Sequence, residues 1–118
     1  MRCKRVLIAD DLRDGAEALS GLISHWGHEV MIAESGRDAV LAAKVFHPDV
    51  AILDIDMPHM DGFEAACALR NRESGAVIVA LTGLPPALLP QRMLEDCFDH
   101  HYAKPMAVDD LERLLNID

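Results

Sequence analysis

Apolar residues in this chain fall in short runs, and between the runs they recur every three or four positions. Short runs read as strands and the longer periodicity as helices. Val6–Ala9 predicts a first strand. Leu12, Ala16, Leu19 and Ile23 then share a helical face, and Gly27 suits the stop. Glu29–Ala33 predicts a second strand. Ser35-Gly-Arg-Asp38 has the spacing of a capping box opening a second helix, which Pro48 closes. Val50–Leu53 is nearly all apolar, as a central strand covered on both faces should be. A third helix follows Gly62 to about Arg72, with Ala65, Ala66 and Leu69 facing inward, and Ala76–Leu81 predicts the fourth strand.

Pro85, Pro86 and Pro90 interrupt the next stretch. The conformation of Leu84–Pro90 is left open, and a short fourth helix is expected to start near Pro90. Asp99–Ala103 predicts an edge strand. Val108, Leu111, Leu114 and Leu115 form the inner stripe of a last helix, with Asp109 and Asp110 suited to its positive N-terminal end. Five βα units with no linker or repeat predict an α/β fold, a doubly wound (βα)5 three-layer sandwich with a parallel sheet in the order 2-1-3-4-5.

Length and composition narrow the picture. The 118 residues fit a single domain spanning 1–118, with no output segment expected inside it. Half the residues are apolar and 4% aromatic, which points to an aliphatic core. The 11 basic and 20 acidic residues leave a net charge of −9, which argues against a grip on nucleic acid. Cys3, Cys67 and Cys97 form no CxxC pair and no evident disulfide framework, which suggests a reducing cytoplasm. His100-His101 reads as the start of a strand and not as a ligand pair. No apolar stretch approaches the ~20 residues of a membrane span, and a strand so near the N-terminus leaves no room for a signal peptide.

The candidate chemistry lies at the strand ends. Asp10-Asp11, Asp54, Thr82 and Lys104 each sit at or just past a predicted strand. In such sheets those positions converge on one crevice. Carboxylates so close repel one another, and a hard divalent cation relieves this; Mg²⁺ suits one or two carboxylates with water and a phosphate. One of Asp10 and Asp11 could instead cap the first helix. The Thr82 hydroxyl can bond a phosphoryl oxygen, and Gly83 lets the backbone come close. Lys104 supplies a point charge for phosphate, and a cis bond to Pro105 would aim it back across the crevice.

Together, the Asp10-Asp11 pair, D-I-D-M-P-H-M-D-G from Asp54 to Gly62, T-G at Thr82 and K-P at Lys104 resemble the receiver domain of two-component response regulators. The likeness covers nearly the whole chain and implies a flavodoxin-like fold. F-D-H-H-Y-A-K-P and W-G-H-E-V are similar to receivers joined to hybrid sensor histidine kinases. The resemblance implies that Asp54 is the phosphoacceptor, with Thr82 and Lys104 binding the phosphoryl group alongside the Ile55 and Gly83 backbone. It implies Mg²⁺ (or Mn²⁺) on Asp11, Asp54 and the Asp56 carbonyl, with Asp10 acting through water. The partner would be a histidine kinase or histidine phosphotransfer protein, and phosphorylation would favour a homodimer.

The switch would pass through Thr82 and through position 101, where the family often has an aromatic and this chain has His101. Tyr102 should point to the other face and is not given that role. Cys97 stands where the family often has glycine. Asp56 and Leu84 flank the site and are expected to influence dephosphorylation. Two other readings compete. Asp54-Ile-Asp56 resembles the nucleophile motif of haloacid-dehalogenase-type phosphatases, although there the second acidic pair follows the lysine. A pseudo-receiver would keep the fold as a binding module without phosphorylation.

Overall fold

The computed structural model describes residues 3–56, 62–72, 75–83 and 97–116. Its strands are β1 (Arg5–Ala9), β2 (Glu29–Ala33), β3 (Val50–Asp54), β4 (Val77–Thr82) and β5 (His100–Ala103), all parallel in the order β2-β1-β3-β4-β5. The helices are α1 (Arg13–His25), α2 (Gly36–Phe46), α3 (Gly62–Arg72) and α4 (Val108–Leu115). The expected short helix near Pro90 and the whole Leu84–Pro90 segment lie outside the described residues.

Strand alternation divides the core into two layers. Leu7, Leu53 and Ile78 face α2 and α3, where Ala39, Ala43, Ala65 and Ala66 let helix and sheet approach closely. Ile8, Ile52 and Val79 face the other way, against α1 and α4. Every residue of β3 is buried, as its apolar run predicts. Helix α4 has eight residues, too short to persist alone. Leu111, Leu114 and Leu115 anchor it, and burying each leucine contributes roughly 2–3 kcal/mol.

Local chemistry sets the helix ends. Ser35 Oγ accepts the Asp38 N–H at 3.0 Å, so the predicted cap opens α2. Helix α2 closes at His47, whose φ of 51° is left-handed, just before Pro48. Gly27, with φ of 94°, turns the chain out of α1. The suggested Asp10 or Asp11 cap does not form: the N-cap of α1 is Leu12, without a side-chain cap.

One expectation fails outright. Cys67 and Cys97 form a disulfide, their Cα atoms 5.2 Å apart across 30 positions of sequence. Cys3 is free and exposed. The fold brings α3 beside the approach to β5, a proximity that cysteine spacing does not encode. The argument from unpaired cysteines to a reducing compartment therefore loses its premise. Arg70, one turn along α3 from Cys67, makes a second tie there, its guanidinium 2.6 Å from Asp99 Oδ2.

Candidate functional site

Parallel register carries the site residues to one place. Ala9 pairs with Leu53, so the residue just after β1, Asp10, emerges beside Asp54. Asp54 pairs with Leu81, which puts Thr82 one step further out, and Thr82 pairs with Ala103, which sets Lys104 beyond both. Asp10, Asp11 and Asp54 each offer a carboxylate oxygen within 4.8 Å of the others. Asp10 and Asp54 are buried, whereas Asp11 is exposed.

Lys104 reaches back over this cluster. Its Nζ lies 2.7 Å from Asp54 Oδ2 and 3.6 Å from Asp56 Oδ2. The Lys104–Pro105 peptide is cis. The other Asp54 oxygen, Oδ1, accepts the Asp56 N–H at 2.8 Å. Asp56 turns its own carboxylate toward the end of β4: Oδ1 accepts the Thr82 hydroxyl at 2.9 Å and Oδ2 accepts the Gly83 N–H at 2.9 Å.

The electrostatics follow from burial and crowding. Burial pushes the Asp10 carboxyl above its ordinary range, and the negative Asp54 adds to this, while the Leu12 N–H on Oδ1 at 2.9 Å opposes it. Burial works against the charge on Lys104, but its hydrogen bond to Asp54 and the surrounding carboxylates outweigh that, and its affinity for the proton is raised. The site is thus a fixed cation among acids. Three carboxylates at this spacing form a hard oxygen donor set that fits a divalent cation such as Mg²⁺.

The sequence reading located Asp10, Asp11, Asp54, Thr82, Gly83 and Lys104, and the fold brings all of them together. Ile55 is different. Its N–H continues the ladder by donating to the Leu81 carbonyl at 3.0 Å, so it is not presented to the crevice. The N–H beside the Asp54 carboxylate belongs to Asp56. His101 is exposed on β5, in register with Ala80, and Tyr102 packs on the opposite layer, as alternation predicts. The side chain of Asp56 had no partner in the sequence reading. Its two-residue offset from Asp54 was the available signal, but only the turn after β3 shows where the carboxylate goes.

A family model of the response regulator receiver domain matches residues 6–116. The chain belongs to the response regulator receiver domain family. The response regulator MprA of Mycolicibacterium vanbaalenii is 32% identical over 107 residues, covering 91% of this chain and 46% of that relative. The receiver domain thus spans about half the length of the curated relatives it matches first. The Vibrio cholerae chemotaxis protein CheY4 has a similar structure, with a TM-score of 0.86, 28% identity and 97% of each chain covered. The response regulator protein TrrA from Thermotoga maritima, in complex with Mg²⁺ and BeF, gives a TM-score of 0.84 at 28% identity over 95% of this chain and 96% of that one.

A receiver domain undergoes phosphorylation and dephosphorylation and is not a turnover enzyme, which sets aside the haloacid-dehalogenase reading. As a class, receiver domains pair with histidine kinases or phosphotransfer proteins. Among the described residues of this receiver domain, no helix is long and apolar enough to cross a membrane.

Proposed function

We propose that Asp54 accepts a phosphoryl group from a phosphohistidine of a histidine kinase or histidine phosphotransfer protein, with Mg²⁺ (or Mn²⁺) held at the acidic cluster. The observation that carries the reading is the setting of Asp54: a buried carboxylate at a strand end, with Lys104 Nζ 2.7 Å from one oxygen and two acids beside it. An Asp54 oxygen attacks phosphorus, the P–N bond breaks, and its electron pair stays on the imidazole nitrogen. Later attack by water returns inorganic phosphate and the free carboxylate. Lys104 offsets the charge of the transferring group, while the Thr82 hydroxyl and the Gly83 and Asp56 N–H groups donate to its oxygens. Such positioning and charge compensation are what phosphoryl transfer requires.

Asp11, Asp54 and the Asp56 carbonyl would hold the cation, with Asp10 acting through water. Bound there, Mg²⁺ supplies the charge that lets carboxylates and phosphoryl oxygens share one pocket. Beside the crevice runs a groove lined by Leu12, Leu19, Leu22, Met106 and Val108, with Leu12 and Val108 exposed, and this reading gives it to the donor protein. Phosphorylation would bias a conformational equilibrium through Thr82 and His101 and favour a homodimer. In this reading residues 1–118 act as one receiver unit, in the cytoplasm.

Intact-mass measurement after incubation with acetyl phosphate tests the core of the proposal. The wild type should gain one phosphoryl group only with Mg²⁺, and Asp54→Ala should gain none. Failure of the wild type to label, with acetyl phosphate and then with a phosphohistidine donor, would leave a pseudo-receiver.

A further inference from the structure

Asp56 stands where the reaction needs room. Its two carboxylate oxygens occupy the Thr82 hydroxyl and the Gly83 N–H, both at 2.9 Å, and Oδ2 lies 3.6 Å from Lys104 Nζ. A hydroxyl, an amide and an ammonium converging on one anion form a seat for a phosphoryl group, and here a carboxylate of the same chain sits in it. Its reach is local: the Asp56 N–H is itself held by Asp54 Oδ1 at 2.8 Å, which fixes the turn and aims the side chain across to β4. The seat is open on one side, since Asp56 and Gly83 are both exposed. The carboxylate therefore has solvent to swing into.

We infer that the Asp56 carboxylate is an internal placeholder for the phosphoryl group, an autoinhibitory contact that must leave before Asp54 can be phosphorylated. The inference rests on the phosphoacceptor reading of Asp54 and adds a regulatory contact to it. Asp56 acts as a positioning residue, through Thr82 and Gly83. Two consequences follow from the geometry. The placeholder slows phosphorylation, because its hydrogen bonds break and its charge opposes the incoming oxygens. It also keeps Thr82 and Gly83 bonded to an anion before any phosphoryl group arrives.

The test uses Asp56→Ala, which empties the seat, and Asp56→Asn, which keeps the shape and removes the charge. Labelling by acetyl phosphate with Mg²⁺ should be at least about tenfold faster in Asp56→Ala, because the wild type must first break the two carboxylate hydrogen bonds to Thr82 and Gly83. Asp56→Asn should also be faster than wild type, by less. A second measurement, on metal-free protein without phosphodonor, is the amide proton shift of Gly83. It should lie downfield in the wild type, as for an N–H donating to a carboxylate, and move upfield in Asp56→Ala. Asp54-dependent labelling that both variants leave at or below the wild-type rate would overturn this inference alone, as would a Gly83 resonance indifferent to Asp56→Ala. No Asp54-dependent labelling in any of the proteins would overturn the phosphoacceptor reading and this inference with it.

Discussion

His28 lies in the bend between α1 and β2, buried, with its Nδ1 accepting the Lys4 N–H at 3.0 Å. Its Nε2 is buried with no hydrogen-bond partner among the described residues. Burial first, and the positive charge of Lys4 second, hold the imidazole below its ordinary value of 6.5. The unfolded chain therefore takes up this proton more readily than the native one. The associated stability is complete above the unfolded value of about 6.5 and is lost as pH falls toward the lower native value. Urea midpoints should drop between pH 7.5 and pH 5.5, and His28→Asn should flatten that drop. An equal drop in the variant would assign the acid sensitivity to other groups.

Helix α3 and the start of β5 are joined twice, by the Cys67–Cys97 disulfide and by Arg70 against Asp99. Asp99 Oδ2 also accepts the Ile78 N–H at 2.8 Å, so the tie reaches the edge of β4. These links cross from the helix that follows β3 to the strand that delivers Lys104. Thiol counting on unfolded protein checks the covalent link. One cysteine, Cys3, should react without reductant, and all three after reduction. Three reactive thiols before reduction would show that the two cysteines sit together unbonded.

The whole molecule concentrates its acidity unevenly. Of a net charge of −9, the strand-end cluster gathers Asp10, Asp11, Asp54 and Asp56 around Lys104. Folding assembles that cluster, so a cation that binds it stabilises the native state by mass action. Mg²⁺ at ten times its Kd should add about 1.4 kcal/mol, a rise of several degrees in Tm. Asp11 is exposed, so Asp11→Ala should fold normally and lose the Mg²⁺-dependent rise. A rise unchanged in that variant would place the cation elsewhere.

The boundaries of β2, those of β1 and β3 to within one residue, and the cap at Ser35 follow from local pattern, because periodicity, β-branching and capping act between near neighbours in the chain. The convergence of Asp10, Asp54, Thr82 and Lys104 was legible too, since a parallel sheet carries every strand end to the same edge. Three details depended on the assembled structure. The Ile55 N–H goes to Leu81 because the β3–β4 ladder runs one residue past the strand, Cys67 meets Cys97 because α3 packs beside the approach to β5, and Asp56 reaches Thr82 across the turn after β3. Each is a contact between residues at least 26 apart in sequence, set by register and packing, which no local pattern specifies.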